Sequence, residues 1–259
     1  MRLVRFALEG RTGYGLLEGE QVFPLWDSPF AGAGLVKSGE VLALGDVTLL
    51  APCEPSKIVA LGLNYRDHAA ELGNPLPEEP LLFLKPGTSV IGPGEPIVCP
   101  RMSRRVDYEA ELAVVMARPA RRVSEARALD YILGYTAAND VTARDLQKKD
   151  GQWTRAKSFD TFAPLGPWIE TDIPDPDNLL VEAYLNSERR QHSSTRNLVF
   201  PVAYLVAFIS RVMTLLPGDV IATGTPAGIG PMQPGDLIEV RVEGVGALKN
   251  PVIAEEETG

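Results

Sequence analysis

Polar and apolar positions alternate in short runs through the first fifty residues. Glycines and charged residues separate the runs, which is the pattern of strands joined by tight turns. The runs cover residues 2–8, 13–17 and 21–25. We therefore predict a small N-terminal β domain, built as a meander, over residues 1–52.

The hydrophobic pattern changes after this region. Residues 57–63 form a nearly continuous apolar run, as found in strands that are buried on both faces. Pro52 and Pro55 mark the transition between the two patterns. The sequence therefore predicts that a second, larger domain occupies residues 53–259.

Later segments alternate between helical and strand-like periodicity. Apolar residues recur every three or four positions between 201 and 213, which predicts one amphipathic helix. Two Pro-Gly-Asp turns, 217–219 and 234–236, each precede a strand-like run, 220–223 and 237–242. The predicted buried stripe of the helix comprises Val202, Leu205, Val206, Ile209, Val212 and Met213.

Residues 106–115 alternate in a way that places three carboxylates on one face of a predicted strand. Asp107, Glu109 and Glu111 alternate with apolar residues, and same-face neighbours on a strand lie about 6.5–7 Å apart at Cα. Like charges at this spacing favour a bound cation, and a hard divalent ion is the typical partner of carboxylate oxygens. A solvated acidic strand edge would give the same pattern, so both interpretations stand at this point.

A further acid favours the metal interpretation. Asp140 follows the apolar run 132–138, so it lies near the end of a second predicted strand, where functional sites are commonly built. A predicted helix then begins with Thr142 as its cap, and it carries Arg144 and Gln147 on one side. An acid, a guanidinium and an amide would converge there.

The segment after residues 57–63 contains a histidine and a glutamate three positions apart. On a short helix His68 and Glu71 share a face, and the carboxylate would fix the tautomer of the imidazole and raise its basicity. The alternative is an exposed contact of little energetic consequence. Gly62 and Gly73 flank the segment and suit the hinges of a mobile cover. His192 lies in a polar stretch that we predict to be a surface loop.

Two further features complete a candidate site. Lys157 has the chemistry to polarise a carbonyl or to pair with a metal-bound carboxylate, although most lysines are simply exposed. The glycine-rich run 222–230 contains Thr225, and such a turn offers backbone N–H groups and a hydroxyl to a carboxylate. A purely structural turn is equally consistent with this sequence.

Composition narrows the function classes. The 259 residues carry a net charge of −9, which argues against nucleic acid or an anionic membrane as the main partner. Cys53 and Cys99 are too few for a disulfide framework, which favours a reducing compartment. No apolar stretch approaches the length of a membrane span, so we predict a cytoplasmic protein.

Several ordered motifs resemble the fumarylacetoacetate hydrolase family. The resemblance extends from about residue 55 to residue 252, and the N-terminal meander is similar to the small first domain of bacterial members. The motifs lie at residues 61–68, 83–86, 107–112, 139–145, 157–160 and 217–226.

The resemblance implies an α+β fold, a mixed β-sandwich roll, in a homodimer. It implies a divalent ion, usually Mg²⁺ and sometimes Mn²⁺ or Ca²⁺, and removes Asp107 from the ligand set. It also implies roles for the other candidates: metal ligation by Glu109, Glu111 and Asp140; support of the metal site by Lys157; substrate binding by Arg144, Gln147 and Thr225; and a lid-borne base formed by His68 with Glu71.

The implied substrate is a small 2-oxo acid or dicarboxylate that reacts through an enolate. Isomerisation, C–C hydrolysis and decarboxylation share that intermediate. The overall pattern is most similar to 2-hydroxyhepta-2,4-diene-1,7-dioate isomerases of aromatic-compound catabolism. An acylpyruvate hydrolase or oxaloacetate decarboxylase is the alternative, and a non-catalytic binding module is a third hypothesis.

Overall fold

The computed structural model describes residues 1–32 and 34–256, so residues 257–259 of the predicted larger domain lie outside the described residues. Most regular structure is extended. In chain order the strands are β1 (Arg2–Leu8), β2 (Arg11–Glu18), β3 (Gln21–Pro24), β4 (Leu42–Ala43), β5 (Thr48–Leu50), β6 (Lys57–Gly62), β7 (Leu81–Pro86), β8 (Val90–Ile91), β9 (Ile97–Cys99), β10 (Val106–Tyr108), β11 (Ala110–Met116), β12 (Ile132–Asn139), β13 (Thr142–Ala143), β14 (Ala163–Glu170), β15 (Leu180–Leu185), β16 (Glu188–Ser194), β17 (Val220–Ala222), β18 (Gly230–Met232), β19 (Leu237–Val242) and β20 (Gly246–Ala254).

Helices are short and lie between the strands. The α-helices of the described ranges are α1 (Arg66–Leu72), α2 (Arg144–Asp150), α3 (Thr154–Lys157) and α4 (Val202–Val212). The 3₁₀ segments are Leu44–Asp46, Gly87–Ser89, Glu125–Tyr131 and Thr195–Asn197. None of the helices within these ranges has the length and apolarity needed to cross a bilayer.

Two sheets pack face to face around the main core. The large sheet has the order β4-β3-β2-β1-β14-β12-β11-β17-β6-β7, with β5 beside β1 and β8 beside β14, and the second has the order β16-β15-β19-β20-β9. Both contain parallel and antiparallel neighbours. Leu112 of β11, Val181 of β15, Val240 of β19 and Leu205 of α4 belong to one buried cluster. The expected α+β mixed sandwich is confirmed.

The N-terminal strands continue the large sheet. As the alternating pattern predicts, β1, β2 and β3 form an antiparallel meander. Strand β1 also pairs with β14, where Leu3 lies opposite Ile169. Both side chains are buried in one cluster, so the meander and the following region share packed hydrophobic surface.

Helix α4 is shorter than its apolar periodicity suggests. Pro201 occupies the N-cap, and Met213 has extended backbone, so the helix ends at Val212. Val212 is 60% exposed. Its predicted place in the buried stripe is therefore wrong, because the helix terminates before another turn could cover it.

The acidic segment does not form one continuous strand. It divides at Glu109 into β10, which pairs with β13 and β18, and β11, which pairs with β12 and β17. The expectation of one strand with a single anionic face is therefore wrong. Asp107, Glu109 and Glu111 are all buried, which excludes the interpretation as a solvated edge.

Two other local predictions are wrong. Thr142 does not cap a helix, since its hydroxyl donates to the carbonyl of Asp140 at 2.9 Å and Ala143 occupies the N-cap of α2. His192 lies on strand β16 and not in a loop. Its side chain is nevertheless at the surface, as expected, with 49% exposure.

Candidate metal centre and active site

A cavity of about 250 Å³ opens beside the acidic residues. Its walls come from the end of β6, from α1, β7, α2 and α3, and from the loop after β17. Buried Glu109, Lys157 and Thr225 line its inner end. Phe83 and Trp153 form an apolar wall, with their ring centroids 5.2 Å apart in an edge contact. The cavity thus combines a charged inner end with an apolar side.

Three carboxylates converge at this inner end. One oxygen from each of Glu109, Glu111 and Asp140 lies within 4.8 Å of the others. The register of β11 with β12 pairs Ala110 with Asn139, so the flanking acids meet at the same end of the strand pair. The N–H of Asp140 donates to the carbonyl of Glu109 at 2.9 Å. Pairing between strands therefore builds the cluster.

Three cations surround two of these acids. Lys157 Nζ donates to Glu109 Oε2 at 2.9 Å and to Asp140 Oδ2 at 2.5 Å, while Lys85 Nζ donates to Asp140 Oδ1 at 2.5 Å. Arg144 donates to Glu109 Oε1. Burial opposes the ionisation of Glu109, but Lys157 and Arg144 outweigh it and hold its pKa below the usual range. The ligand-type oxygens of Glu109 are thereby kept anionic.

The third acid is paired less completely. Glu111 Oε2 accepts a hydrogen bond from the N–H of Gly224 at 2.8 Å, whereas Oε1 is buried with no partner among the described residues. Burial, together with the charges of Asp140 and Glu109, raises the pKa of Glu111 well above its usual value. An all-carboxylate donor set with an unpaired buried oxygen fits a hard divalent cation such as Mg²⁺ or Mn²⁺.

Lys85, a residue for which the sequence pattern predicts no individual role, contacts the cluster directly. It projects inward from β7 with 2% exposure. Burial lowers its pKa, while Asp140 opposes this effect. The available signal was a lysine inside the apolar run 81–86, because a charged side chain that points into the protein from such a strand needs an ionic partner.

Asp107 belongs to a different network. Its carboxylate accepts hydrogen bonds from Arg105 Nε at 2.8 Å, from Arg105 Nη2 at 3.1 Å and from Arg144 Nε at 2.9 Å. It is fully buried. Asp107 therefore holds the Arg144 guanidinium beside Glu109, and its oxygens are occupied by arginine donors.

The predicted substrate-binding residues lie along the same cavity. Arg144 Nη1 donates to Gln147 Oε1 at 2.6 Å, and both side chains line the cavity from α2. The Thr225 hydroxyl donates to the carbonyl of Ala110 at 3.0 Å and accepts from Gln191 Nε2 at 2.8 Å. Because its proton is already committed, Thr225 presents an acceptor lone pair to a ligand.

The glycine-rich loop offers fewer free donors than its sequence suggests. The N–H of Gly224 binds Glu111, and the N–H of Gly228 binds Glu71 Oε1 at 3.0 Å. These two donors thus bind the protein's own carboxylates. The expectation of a loop that holds a ligand carboxylate through free N–H groups does not apply to these two positions.

The structure brings His68 and Glu71 together on α1. His68 Nδ1 lies 3.0 Å from Glu71 Oε2, and His68 is 6% exposed and lines the cavity. Since Nδ1 is occupied by the carboxylate, the opposite ring nitrogen, Nε2, is the one available to a ligand. Glu71 is in turn fixed by the N–H of Gly228. The pair has the geometry of an oriented base.

The glycines predicted as hinges have visible structural roles. Gly73 ends α1 in the left-handed region with φ 66°, a conformation that glycine adopts without strain. At Gly62 a Cβ would lie 2.6 Å from the ring of Trp153, so this position needs glycine for packing.

The Asp67 carboxylate accepts a hydrogen bond from the Ser193 hydroxyl and ties α1 to β16.

Comparison with family models matches almost the whole chain. Residues 57–253 match the model described as fumarylacetoacetate (FAA) hydrolase C-terminal. Residues 1–52 match the model described as Rv2993c-like, N-terminal. The first match covers well over half of the sequence and contains every candidate site residue named above.

Individual relatives agree with these matches. The crystal structure of 2-hydroxyhepta-2,4-diene-1,7-dioate isomerase from Mycobacterium marinum is 44% identical, with a TM-score of 0.92 and coverage of 99% of this chain and 100% of that chain. A maleylpyruvate hydrolase from Sphingobium sp. SYK-6, solved with manganese (II) ion and pyruvate, is 33% identical, with a TM-score of 0.81 and coverage of 99% and 100%. The mitochondrial oxaloacetate tautomerase fahd2 of Xenopus laevis is 42% identical over 86% of this chain and 74% of its own length. This chain belongs to the fumarylacetoacetate hydrolase family.

Proposed function

We propose that the chain is a divalent-metal-dependent enzyme that transfers a proton on a small 2-oxo acid or 2-hydroxy-dienoate. The specific proposal is 2-hydroxyhepta-2,4-diene-1,7-dioate isomerisation in aromatic-compound catabolism. One observation carries it: a single cavity is lined by both Glu109 of the carboxylate cluster and His68 of the His68–Glu71 pair. Relatives named as an isomerase and a tautomerase support it, because both names describe rearrangement without loss of a fragment.

The acidic cluster is the proposed metal site. Glu109, Glu111 and Asp140 would hold the ion, for which we propose Mg²⁺, with Mn²⁺ or Ca²⁺ as alternatives. Such an ion stabilises the negative charge that develops on a 2-oxo oxygen. Burial lowers the pKa of Lys157, but Asp140 and Glu109 outweigh it and raise that pKa, so Lys157 stays cationic and balances the acids around neutral pH.

Side chains of α2, together with the apolar wall formed by Phe83 and Trp153, would orient the substrate. Arg144 is held by Asp107 and Glu109, so its guanidinium is fixed before a substrate carboxylate arrives and loses little conformational entropy on binding. Gln147 extends the same polar surface. The rings of Phe83 and Trp153 exclude water from one side of the cavity, which strengthens these polar interactions.

His68 is the proposed base. Its Nε2 would accept a proton from the substrate carbon and return it at another position, since isomerisation conserves all atoms. Glu71 fixes the tautomer through Nδ1 and stabilises the imidazolium while the proton is held. General acid–base catalysis of this type contributes about 10²–10⁴-fold to rate.

C–C hydrolysis or decarboxylation is the second candidate. The same His68 Nε2 is able to activate a water molecule, and the hydrolase relative was solved with manganese and pyruvate. The products separate the candidates, because hydrolysis releases pyruvate with a free acid and decarboxylation releases pyruvate with carbon dioxide, whereas isomerisation releases neither. Glu71→Gln tests the base in each case: a reaction that uses the His68–Glu71 pair should fall by orders of magnitude, whereas a reaction that uses another base would keep most of its rate.

Turnover of a substrate panel tests the proposal. We would assay a 2-hydroxy-dienoate dicarboxylate, acetylpyruvate, fumarylpyruvate and oxaloacetate with Mg²⁺ or Mn²⁺, and repeat each assay with a chelator. Isomerisation should change the ultraviolet band without releasing pyruvate or carbon dioxide. His68→Ala should lose about 10²–10⁴-fold in kcat. His192→Ala is the matched control, because His192 forms a similar pair with Glu182 at 2.9 Å on an exposed strand. Equal losses in the two variants would refute the assignment of the base.

We also propose that the protein is a homodimer, as the family resemblance implies. Light scattering should then give about twice the chain mass of 28.0 kDa. A monomer at micromolar concentration would refute this part of the proposal and leave the chemistry untouched.

A further inference from the structure

The cations that line the cavity differ in what they already bind. Arg144 donates to Asp107 and Glu109, and Lys157 donates to Glu109 and Asp140. Both positive charges are therefore largely compensated by the protein's own carboxylates. An additional anionic group of a ligand needs a charge that has not been compensated in this way.

Lys148 provides that charge. It lines the cavity and is exposed, and it has no hydrogen-bond or ion-pair partner among the residues that the structure describes. The nearest acids along the helix are occupied elsewhere, since Asp145 accepts from Ser103 and Asp150 binds Arg155.

The position of Lys148 on α2 defines where a ligand would meet it. Arg144 and Lys148 are four residues apart, one helical turn and about 6 Å along the axis, so they share a face. The Arg144 side chain is only 12% exposed, whereas Lys148 is exposed at the mouth of the cavity. Asn74, just beyond the end of α1, also lines the cavity and is exposed.

The cavity therefore changes character along its length. The inner end presents Glu109 of the acidic cluster with Arg144, the middle presents the rings of Phe83 and Trp153, and the mouth presents Lys148. Its volume of about 250 Å³ suits a small molecule. A molecule that matches this order has a 2-oxo acid head, a short unsaturated or aliphatic middle and a second anion at its far end.

We infer that Lys148 is a specificity-determining residue that binds the distal carboxylate of a dicarboxylic 2-oxo acid. This inference rests on the proposed function only in placing the 2-oxo acid head at the acidic cluster. It adds that the second carboxylate is recognised at the mouth of the cavity, and that monocarboxylic analogues lack this contact.

Matched ligand pairs test the inference without requiring turnover. Calorimetry with Mg²⁺ present would compare 2-oxoadipate with 2-oxohexanoate, which share the head and the chain length and differ in the terminal carboxylate. Lys148→Gln should weaken 2-oxoadipate about 3- to 10-fold and leave 2-oxohexanoate within twofold. Lys148→Arg should retain the preference. Lys149→Gln is the control, because it removes the same charge from the adjacent exposed position.

The kinetic counterpart compares a 2-hydroxy-dienoate dicarboxylate with the analogue that lacks its distal carboxylate. In Lys148→Gln the KM for the dicarboxylate should rise by the same factor, with kcat and the kinetics of the monocarboxylate unchanged. The wild-type preference should shrink as salt rises, since the contact lies near solvent. Equal effects on both ligands, an unchanged affinity for 2-oxoadipate, or wild-type protein that binds neither ligand would overturn the inference. A retained dicarboxylate preference with no turnover of any panel substrate would instead refute the proposed function.

Discussion

Asp107 and Glu111 are two buried carboxylates, four residues apart, with opposite surroundings. Both are 0% exposed. Asp107 accepts three hydrogen bonds from Arg105 and Arg144, whereas Glu111 accepts one from the Gly224 N–H and has an oxygen with no partner in the described part of the chain. Burying a charge is costly unless it is paired. Burial and charge alone therefore do not separate these two acids. Two other features do: Glu111 converges with Glu109 and Asp140, and it has an unpaired oxygen.

The largest expected difference between these two acids is in metal binding. Glu111→Gln should weaken Mg²⁺ or Mn²⁺ binding by at least about 100-fold, because changes to residues that merely orient ligands already cost about 10–100-fold. Asp107→Asn should cost less than about 10-fold in metal affinity, because Asp107 reaches the proposed ligand Glu109 only through Arg144. Calorimetric titration of both variants with Mn²⁺ makes the comparison. Similar affinities in Glu111→Gln and wild type would remove Glu111 from the proposed ligand set.

For the stability of the metal-free protein we expect the opposite order, with a larger effect for Asp107→Asn than for Glu111→Gln. Asp107→Asn leaves the Arg144 guanidinium, 12% exposed, with Glu109 as its remaining carboxylate partner, and we expect the free energy of unfolding to fall by about 2 kcal/mol. This is below the 3–5 kcal/mol typical of broken buried pairs, because Arg144 keeps Glu109 and Arg105 is half exposed. Urea unfolding with a chelator measures the loss.

Two controls accompany this measurement. Asp130→Asn removes a carboxylate from an exposed pair with Arg127, so its unfolding midpoint should match wild type. Glu111→Gln should not lower the stability of the metal-free protein, since it removes a carboxylate that is incompletely paired. A larger loss of unfolding free energy in Glu111→Gln than in Asp107→Asn would contradict the conclusion that Asp107 is the better paired of the two carboxylates.

The contrast between Asp107 and Glu111 also shows which features of the structure can be predicted from the sequence. Regular alternation and apolar runs identify β1 and β19 with their observed bounds, because these features depend on residues close in the chain. The three acids of the cluster are also visible in the sequence. The hydrogen-bond and ion-pair partners of each acid are not visible in the sequence, because they lie far away along the chain. Lys85, for example, is 55 positions from Asp140.

The break at Glu109 between β10 and β11 cannot be predicted from the local sequence, for a related reason. Alternation continues through residues 106–115, so local periodicity predicts one strand. The break is set by which neighbours are available: β10 pairs in a three-stranded sheet with β13 and β18, whereas β11 enters the large sheet. Sheet membership is a tertiary property, and it decides that Asp107 meets arginines while Glu111 meets other acids.

A smaller effect concerns pH. Burial, Asp140 and Glu109 raise the pKa of Glu111, so in the metal-free protein the folded state keeps a proton that the unfolded chain releases above about pH 4.3. The stabilising contribution is fully present below that pH and is lost as pH rises towards the pKa of the folded state. The slope is at most about 1.4 kcal/mol per pH unit.

Comparison with Glu111→Gln isolates this contribution. Urea unfolding with a chelator from pH 5 upward should show wild-type stability falling relative to the variant, because glutamine does not titrate. Parallel pH profiles for the two proteins would show that Glu111 is ionised in the metal-free fold, and hence paired better than its single hydrogen bond indicates.

The smallest effect separates the two arginines that bind Asp107. Arg105 has a side-chain exposure of 47% against 12% for Arg144, so solvent screens its ion pair and Arg105→Gln should cost less than about 1 kcal/mol of unfolding free energy. The KM for a 2-oxo acid should also remain within twofold, because Arg144 keeps its own hydrogen bond to Asp107. If Arg105→Gln cost as much stability as Asp107→Asn, the exposed arginine would be the main partner of Asp107. Asp107 would then stabilise the fold from the surface side, and its proposed role in holding Arg144 at the cavity would lose its energetic basis.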